Sequence, residues 1–365
     1  MKKIIIVLLC IYSCSNSSHN NNHLKKDFSE FPTTNKLKGR KCKKINKHNI
    51  SVVNILQIDS LLITFDPYNK KECIYIFDKN DFELLAKTGK IGKGPGEIIS
   101  PGIISINPYN NEIWLSDGSK NNVFKFDIEK VIRNKNYLPK YQFTIKNSKR
   151  PYYDMEWIDS NNFAVINTNT QGLITIYNNK GKKLNEYGKK FHRKEEDTPL
   201  LGYKLTCVAQ IDYSKNHNKL FMAFYYFDKL TGIDLDKKRS FTVTGPINYN
   251  PDFKFNNGML SSKNLKKMRG NIQSSSDHIF SVFCGNKKWK FNEKGHRIQK
   301  ANYYDKLHIF YHTGEPIAKL KIDRQIGAFI IDSKKKRIIA SDKSNGGLVV
   351  FDTEKNPYLN KYLNN

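Results

Sequence analysis

The sequence predicts an all-β chain, a six-bladed β-propeller of four-stranded blades closed by an N-terminal strand. Three observations carry that expectation. The 365 residues include 22 Phe, 20 Tyr and 41 Asn, and 38 % are hydrophobic, a balance that suits pleated, half-buried surfaces separated by tight turns. A unit of strand, Asn/Asp turn, strand, loop and strand recurs, its third strand ending on or beside an aromatic-Asp or aromatic-Asn step. These ends fall at Asp78, Asp127, Asn178, Asp236, His312 and Asp352, with spacings of 49, 51, 58, 76 and 40 residues. Periods of roughly 40 to 50 residues carrying four strands are the pattern of propeller blades.

Taken in order, the chain opens on an address. Met1-Lys2-Lys3 precedes the apolar run Ile4 to Tyr12, which is too short for the roughly 20 residues of a membrane-crossing helix. Ser13-Cys14 follows, the layout of a secretory signal. Ile11-Tyr12-Ser13-Cys14 resembles a lipobox, in which cleavage leaves the cysteine as an acylated first residue. Residues 1–13 therefore read as a lipoprotein signal peptide and 14–34 as a lipidated tether. Its polar, aperiodic stretch Ser15 to Asp27 reads as flexible. Residues 35–365 read as the propeller domain.

Within that domain the blades are expected at about 50–88, 101–146, 153–188, 203–246, 271–322 and 326–352. The sixth stops after its third strand, because Thr353 to Asn365 is rich in Asn and charge. An uncovered sheet edge is a liability, so the segment Lys36 to Ile45 is expected to supply the missing strand. Two β-sandwiches would be the alternative architecture, but no Pro/Gly/Ser linker divides the chain.

Lys and Arg number 62 against 34 Asp and Glu, a formal net charge of +28. Only nine of the 62 are Arg, the residue that forks onto phosphate and stacks on bases, and the Lys residues are spread along the chain. This pattern argues against nucleic acid as a partner. Cys10, Cys14, Cys42, Cys73, Cys207 and Cys284 form no Cys-x-x-Cys pair or zinc spacing. The last four read as small buried side chains, with pairing left open.

The stretch GKIGKGPGE (89–97), followed by IISPGIISI and NEIWLSDGSKNNVFKFDIEKVI, resembles the Gly-x-Gly-Pro-Gly-Glu junction and second blade of the TolB-like six-bladed propeller lipoproteins of Gram-negative envelopes. HIFSVFCGNK, KLHIFYHTGEPIAKLKID and GGLVVFD are similar to that family's last two blades. The resemblance spans roughly 45–352 and departs at the insertion Lys287 to Asn302 and at His312. It implies an envelope address and no agreed biochemical activity.

No phosphate loop, nucleophile elbow or zinc helix is present. Gly94 and Gly96 are expected to adopt backbone angles closed to other residues, Pro95 to stiffen the crossing, and Glu97 to accept hydrogen bonds from loop amides. His308 and His312 lie too far apart along a strand to share a metal and read as part of an aromatic outer-strand surface. No catalytic residue or cofactor is implied; a metal site is left undetermined.

Loop parity is the main functional signal. The 2-to-3 loops and 4-to-1 crossings of a four-stranded blade share one face, and the three long connections, 188–202, 247–270 and 286–305, all belong to it. Their formal charges are +1, +4 and +4. The expected function is a lipid-anchored envelope module that binds an acidic protein or glycan there, with Gly94, Pro95, Gly96, Glu97, Lys266, Lys267, Lys287, Lys288, Lys290 and Arg297 as candidate face residues. The alternative is a metal-dependent hydrolase or lactonase at the channel mouth.

Overall fold

The computed structural model describes residues 23–119, 122–144, 152–167, 172–189, 208–251, 254–256, 259–261, 265–287, 290–293, 297–298 and 303–363. It begins with three short strands, β1 (His23–Asp27), β2 (Thr33–Leu37) and β3 (Arg40–Lys41), and one helical turn, α1 (Lys43–Asn46). Blade one holds β4 (Asn54–Ile58), β5 (Leu61–Phe65), β6 (Glu72–Asp78) and β7 (Leu84–Lys90). Blade two holds β8 (Pro101–Asn107), β9 (Glu112–Asp117), β10 (Asn122–Asp127), the helix α2 (Ile128–Arg133) and β11 (Lys140–Thr144). Blade three is β12 (Tyr152–Trp157), β13 (Asn162–Asn167), β14 (Gly172–Asn178) and β15 (Lys183–Lys189). Blade four is β16 (Ala209–Ser214), β17 (Lys219–Phe224), β18 (Lys229–Asp234) and β19 (Arg239–Thr244).

A small hairpin, β20 (Lys254–Asn256) with β21 (Met259–Ser261), precedes blade five. That blade contains β22 (Lys266–Ser274), β23 (His278–Lys287), a second hairpin β24 (Lys290–Phe291) and β25 (Arg297–Ile298), then β26 (Tyr304–Tyr311). The long strand β27 (Pro316–Asp332) closes blade five with its first part and opens blade six with its second. Blade six continues through β28 (Arg337–Asp342) and β29 (Leu348–Asp352), and a short helix α3 (Asn360–Leu363) follows. The innermost strands β4, β8, β12, β16, β22 and the second part of β27 each pack on the next, and β27 returns to β4. That cycle makes six blades.

The predicted closure is present. β3 pairs antiparallel with β29, Lys41 opposite Val349 and Arg40 opposite Val350. Cys42 N–H donates to the Leu348 carbonyl at 3.0 Å, and Arg40 Nε lies 2.7 Å from Asp352 Oδ2. Gly39 is needed for close approach: a Cβ there would lie 2.4 Å from Val349 Cγ2.

The N-terminal segment does more than close the ring. β1 runs parallel along the outer strand of blade four, His23 opposite Ser240, and β2 runs parallel along the outer part of blade five, Thr33 opposite Ala318. Between them Phe31 is buried, its ring 4.9 Å from that of Phe28 and 5.5 Å from that of Phe310. The flexible-tether reading therefore does not hold for residues 23–27, which gain backbone hydrogen bonds from an otherwise open edge; residues 15–22 lie outside the described residues.

The recurrent third-strand ends have a common cause. The side-chain oxygens of Asp78, Asp127, Asn178 and Asp352 accept backbone N–H groups of the turn that follows, from Asn80, Lys130, Lys182 and Lys355 respectively. This is the local bond that makes Asx residues start turns. In blade four the role falls to Asp234, which accepts from Lys237 N–H at 2.8 Å, and not to Asp236. His312 lies one residue past β26 and is buried, so blade five lacks the device. Blade five also starts earlier than expected, at Lys266 rather than 271.

Deleting residues 23–27 should lower the unfolding temperature by a few degrees, since only one five-residue edge strand is lost. Deleting through residue 42 should abolish the cooperative transition, because the ring then opens. Calorimetry of the two truncations checks this; equal melting temperatures would contradict closure by β3.

Candidate functional site

Strand order fixes which connections share a face. The 2-to-3 loops and 4-to-1 crossings leave one side, here the loop face, and the 1-to-2 and 3-to-4 turns leave the other, the turn face. Both added hairpins, β20–β21 and β24–β25, stand in loop-face connections. Loops on a rigid scaffold are the usual seat of binding.

Aspartates at the ends of second strands organise that face, and sequence reading missed them. Asp66 accepts Ser51 N–H at 2.9 Å, and Asp117 accepts Ile99 N–H at 2.9 Å and Ser100 N–H at 3.2 Å. Asp342 accepts Ser344 N–H and faces Arg324 Nη1 at 3.4 Å. Each carboxylate fastens the chain entering its own blade, or the loop beside it. Burial pushes the Asp117 carboxyl up, but bonds from Ile99, Ser119 and Ser100 outweigh it and hold the group below its ordinary range. The available signal was a second repeat, Phe65-Asp66, Ser116-Asp117 and Ser341-Asp342.

Blades four and five share a buried polar knot. Arg269, fully buried on β22, pairs with Asp228 at 2.7 Å, and Asp228 also accepts Ile247 N–H at 3.1 Å from the outgoing crossing. The guanidinium lies 5.3 Å from the ring centres of both Phe283 and Phe310. His308 Nδ1 is 3.4 Å from Arg269 Nη1, and burial followed by that cation holds its pKa well below the usual value. His308 is thus interior, and His312 packs with its Nδ1 3.0 Å from His217 Nδ1. The outer-surface reading of both is corrected: β26 is a third strand, covered by its neighbours.

The structure brings some predicted residues together and separates others. Lys266 and Lys267 belong to the start of β22, not to a loop, and the register sets Lys266 opposite Lys287 and Lys267 opposite Asn286. Lys267 is buried with its Nζ 4.1 Å from the Tyr304 ring, 4.8 Å from Tyr303 and 5.2 Å from Tyr225. Lys266 Nζ stands 5.1 Å over Tyr249, and Lys343 Nζ stands 5.6 Å from the Tyr303 ring. Lys290 and Arg297 fall on β24 and β25; Lys288 and Cys14 lie outside the described residues.

The 91–98 crossing, the 4-to-1 connection from blade one to blade two, is a closed loop. Ile91 and Ile98 bridge in parallel, and Gly92 N–H donates to the Ile98 carbonyl at 3.0 Å. Glu97 Oε2 accepts Gly94 N–H at 2.9 Å, and its Oε1 lies 2.7 Å from Lys90 Nζ. The ion pair with Lys90, then the Gly94 bond, lowers the Glu97 pKa. Gly96 has φ +72°, as expected, and a Cβ there would meet Leu138 at 3.1 Å. Gly94 has no positive φ; it and Gly92 are required instead by the Glu97 side chain, which would lie 3.0 and 2.0 Å from an added Cβ.

Two further features could hold small groups. Asp154 and Glu156 on β12 and Asp212 on β16 are carboxylates of the innermost strands, and burial pushes Asp154 and Asp212 each up to about 7. Asp154 accepts Ile211 N–H, and Asp212 accepts Ser274 N–H, so strand amides engage them. Among the described residues no group of three or more His, Cys, Asp or Glu is placed to hold a metal ion. Between blades two and three lies a cavity of about 510 Å³ walled by Phe143, Phe163, Tyr177, Met155 and Val165. Cys42, Cys73 and Cys284 are buried free thiols, and burial drives Cys73 up to about 12.

A cycle of six blades, closed by a strand from the other end of the chain, defines a β-propeller. The chain belongs to the TolB-like six-blade propeller-like family, which matches residues 28–334. A DUF4221 family member from Bacteroides vulgatus superposes with a TM-score of 0.54 at 12 % identity, covering 83 % of this chain and 92 % of that one. A Bacteroides fragilis protein described as exported by inference gives 0.53 at 11 % identity, covering 90 % and 98 %. No curated protein matches the sequence. At such identities the structural likeness speaks to the fold alone.

Gly96→Ala should cost more than about 1 kcal/mol, since the left-handed backbone and Leu138 both oppose a Cβ, whereas Glu97→Gln should cost less. Chemical denaturation of both variants is the check. The His312 ring is held at about 4, by burial and then by His217. An unfolded His titrates near 6.5, so between these values the unfolded chain takes up a proton that the folded chain refuses. Stability is therefore lost as pH falls from 6.5 to 4, by roughly 3 kcal/mol from this site. His312→Gln should flatten that part of the pH–stability curve; an unchanged slope would show that the site does not contribute.

Proposed function

We propose that this chain is a lipid-anchored propeller of the cell envelope that binds an acidic partner, protein or glycan, through its loop face, without catalysis. One observation carries the reading: β22 and β23 set Lys266 directly opposite Lys287 at the edge from which the longest connections leave. Two cations set side by side at that edge, Lys266 half-buried and Lys287 exposed, are a basic feature that complements an acidic partner. Tyr249 beside Lys266 supplies amphipathic contact area of the kind binding surfaces use, and Tyr225 and Tyr303 stand beside the neighbouring Lys267. The anchor is supported by the sequence Ile11-Tyr12-Ser13-Cys14, and the exported description of the Bacteroides fragilis propeller accords with an envelope address. Of the inner-strand carboxylates that the hydrolase alternative would call on, Asp154 and Asp212 already accept strand amides.

Polyglutamate and polygalacturonate should bind the soluble domain, and neutral dextran should not. The affinity should fall steeply with salt as exposed charges are screened. Lys266→Glu with Lys287→Glu should weaken binding at least fivefold, while Lys237→Glu on the opposite face should leave it unchanged. Titration calorimetry reads all three, and equal losses would reject a loop-face site.

A further inference from the structure

The first described strand fixes where an N-terminal anchor would hold the propeller. β1 is parallel to β19, so its first residue, His23, lies beside Ser240, two residues past the turn Leu235–Lys238 that joins the third and fourth strands of blade four. His23 Nδ1 is 2.8 Å from Ser240 Oγ. Further along β1, which ends with Asp27 opposite Thr244 at the crossing end of β19, the Lys26 side chain reaches the 3-to-4 turn of blade five: its Nζ donates to the Thr313 carbonyl at 3.1 Å and lies 3.5 Å from Glu315. Eight residues separate Cys14 from His23. Even fully extended, at about 3.6 Å each, they span no more than roughly 30 Å.

The charge of that face points the same way. Exposed Lys180 and Lys182 stand in the blade-three turn, Lys237 and Lys238 in the blade-four turn, and Lys334 and Lys335 in the first turn of blade six. Blade four, where β1 begins, shares in this excess of lysine, which the turns of blade five, with Asp277 and Glu315, interrupt. Lysines held near an anionic lipid surface are attracted to it within a Debye length.

We propose that the anchored protein sits with its turn face against an anionic bilayer and its loop face directed away from the lipid. This rests on the anchor at Cys14 put forward above. The acidic partner then approaches from the side opposite the membrane, and the same membrane contact leaves the loop-face lysines free of competition from lipid phosphate.

The test uses the full acylated chain in phosphatidylglycerol/phosphatidylethanolamine vesicles carrying spin-labelled headgroups, with Cys207→Ser as background. A fluorophore is placed at residue 237 through Lys237→Cys, or at the exposed loop-face residue 68 through Tyr68→Cys. Quenching at 237 should exceed that at 68 by at least threefold. Equal quenching, or stronger quenching at 68, in protein that floats with the vesicles overturns the orientation and leaves the anchor standing. Protein that fails to float, or floats equally well after Cys14→Ser, overturns the anchor and the orientation with it. Combining Lys180→Glu, Lys238→Glu and Lys334→Glu should narrow the difference between the two labels; an undiminished difference would show that the basic turns do not set the orientation.

Discussion

A ring of sheets has no free choice at its seam. Each blade is stabilised by the next, so the cycle of innermost strands from β4 round to β27 holds only if the last blade is as complete as the others. β29 would otherwise present a row of unpaired amides and carbonyls beside blade one. Pairing with β3 satisfies that edge, and the surrounding groups secure it: Arg40 on Asp352, Asn46 on the Leu348 amide, and Gly39 allowing the chain close enough to pair. The same demand for edge partners, met less fully, accounts for β1 and β2 lying along blades four and five.

Much of this was legible because repetition has a local cause. An Asx side chain favours the start of a tight turn, so the third-strand ends at Asp78, Asp127, Asn178 and Asp352 announced themselves in the residues. The parallel strands β1 and β2 did not. Their sequences, HLKKD and TTNKL, show no clean alternation of apolar and polar residues, and their stability comes from backbone pairing with edges that no local pattern reveals. Blade five was misplaced at its start for a related reason: Lys266-Lys267-Met268-Arg269 reads as a charged loop until the tyrosines, Asp228 and the two Phe rings that accept those cations are assembled around them. Burying a cation is costly unless it is paired, and the partners lie far away in the chain.

Two kinds of aspartate divide the labour of the scaffold. Those ending third strands shape the short turns; those ending second strands reach across and tie the incoming crossing or the neighbouring loop. In blades one, two and six these carboxylates fasten loop-face strand ends, and at the long 247–270 connection Asp228 does so by accepting Ile247 N–H while pairing with Arg269 of β22.

The pairing of residue 41 with residue 349 also sets an order of events in folding. The strand that locks the ring is made some three hundred residues before its partner and can be used only once that partner exists. Until then blades one to five can form locally, but the seam stays open and the intermediate presents unpaired edges of the kind that recruit other chains. Contacts of such long sequence separation slow folding. A chain built this way therefore depends on keeping its early segment available until the final hairpin has been made.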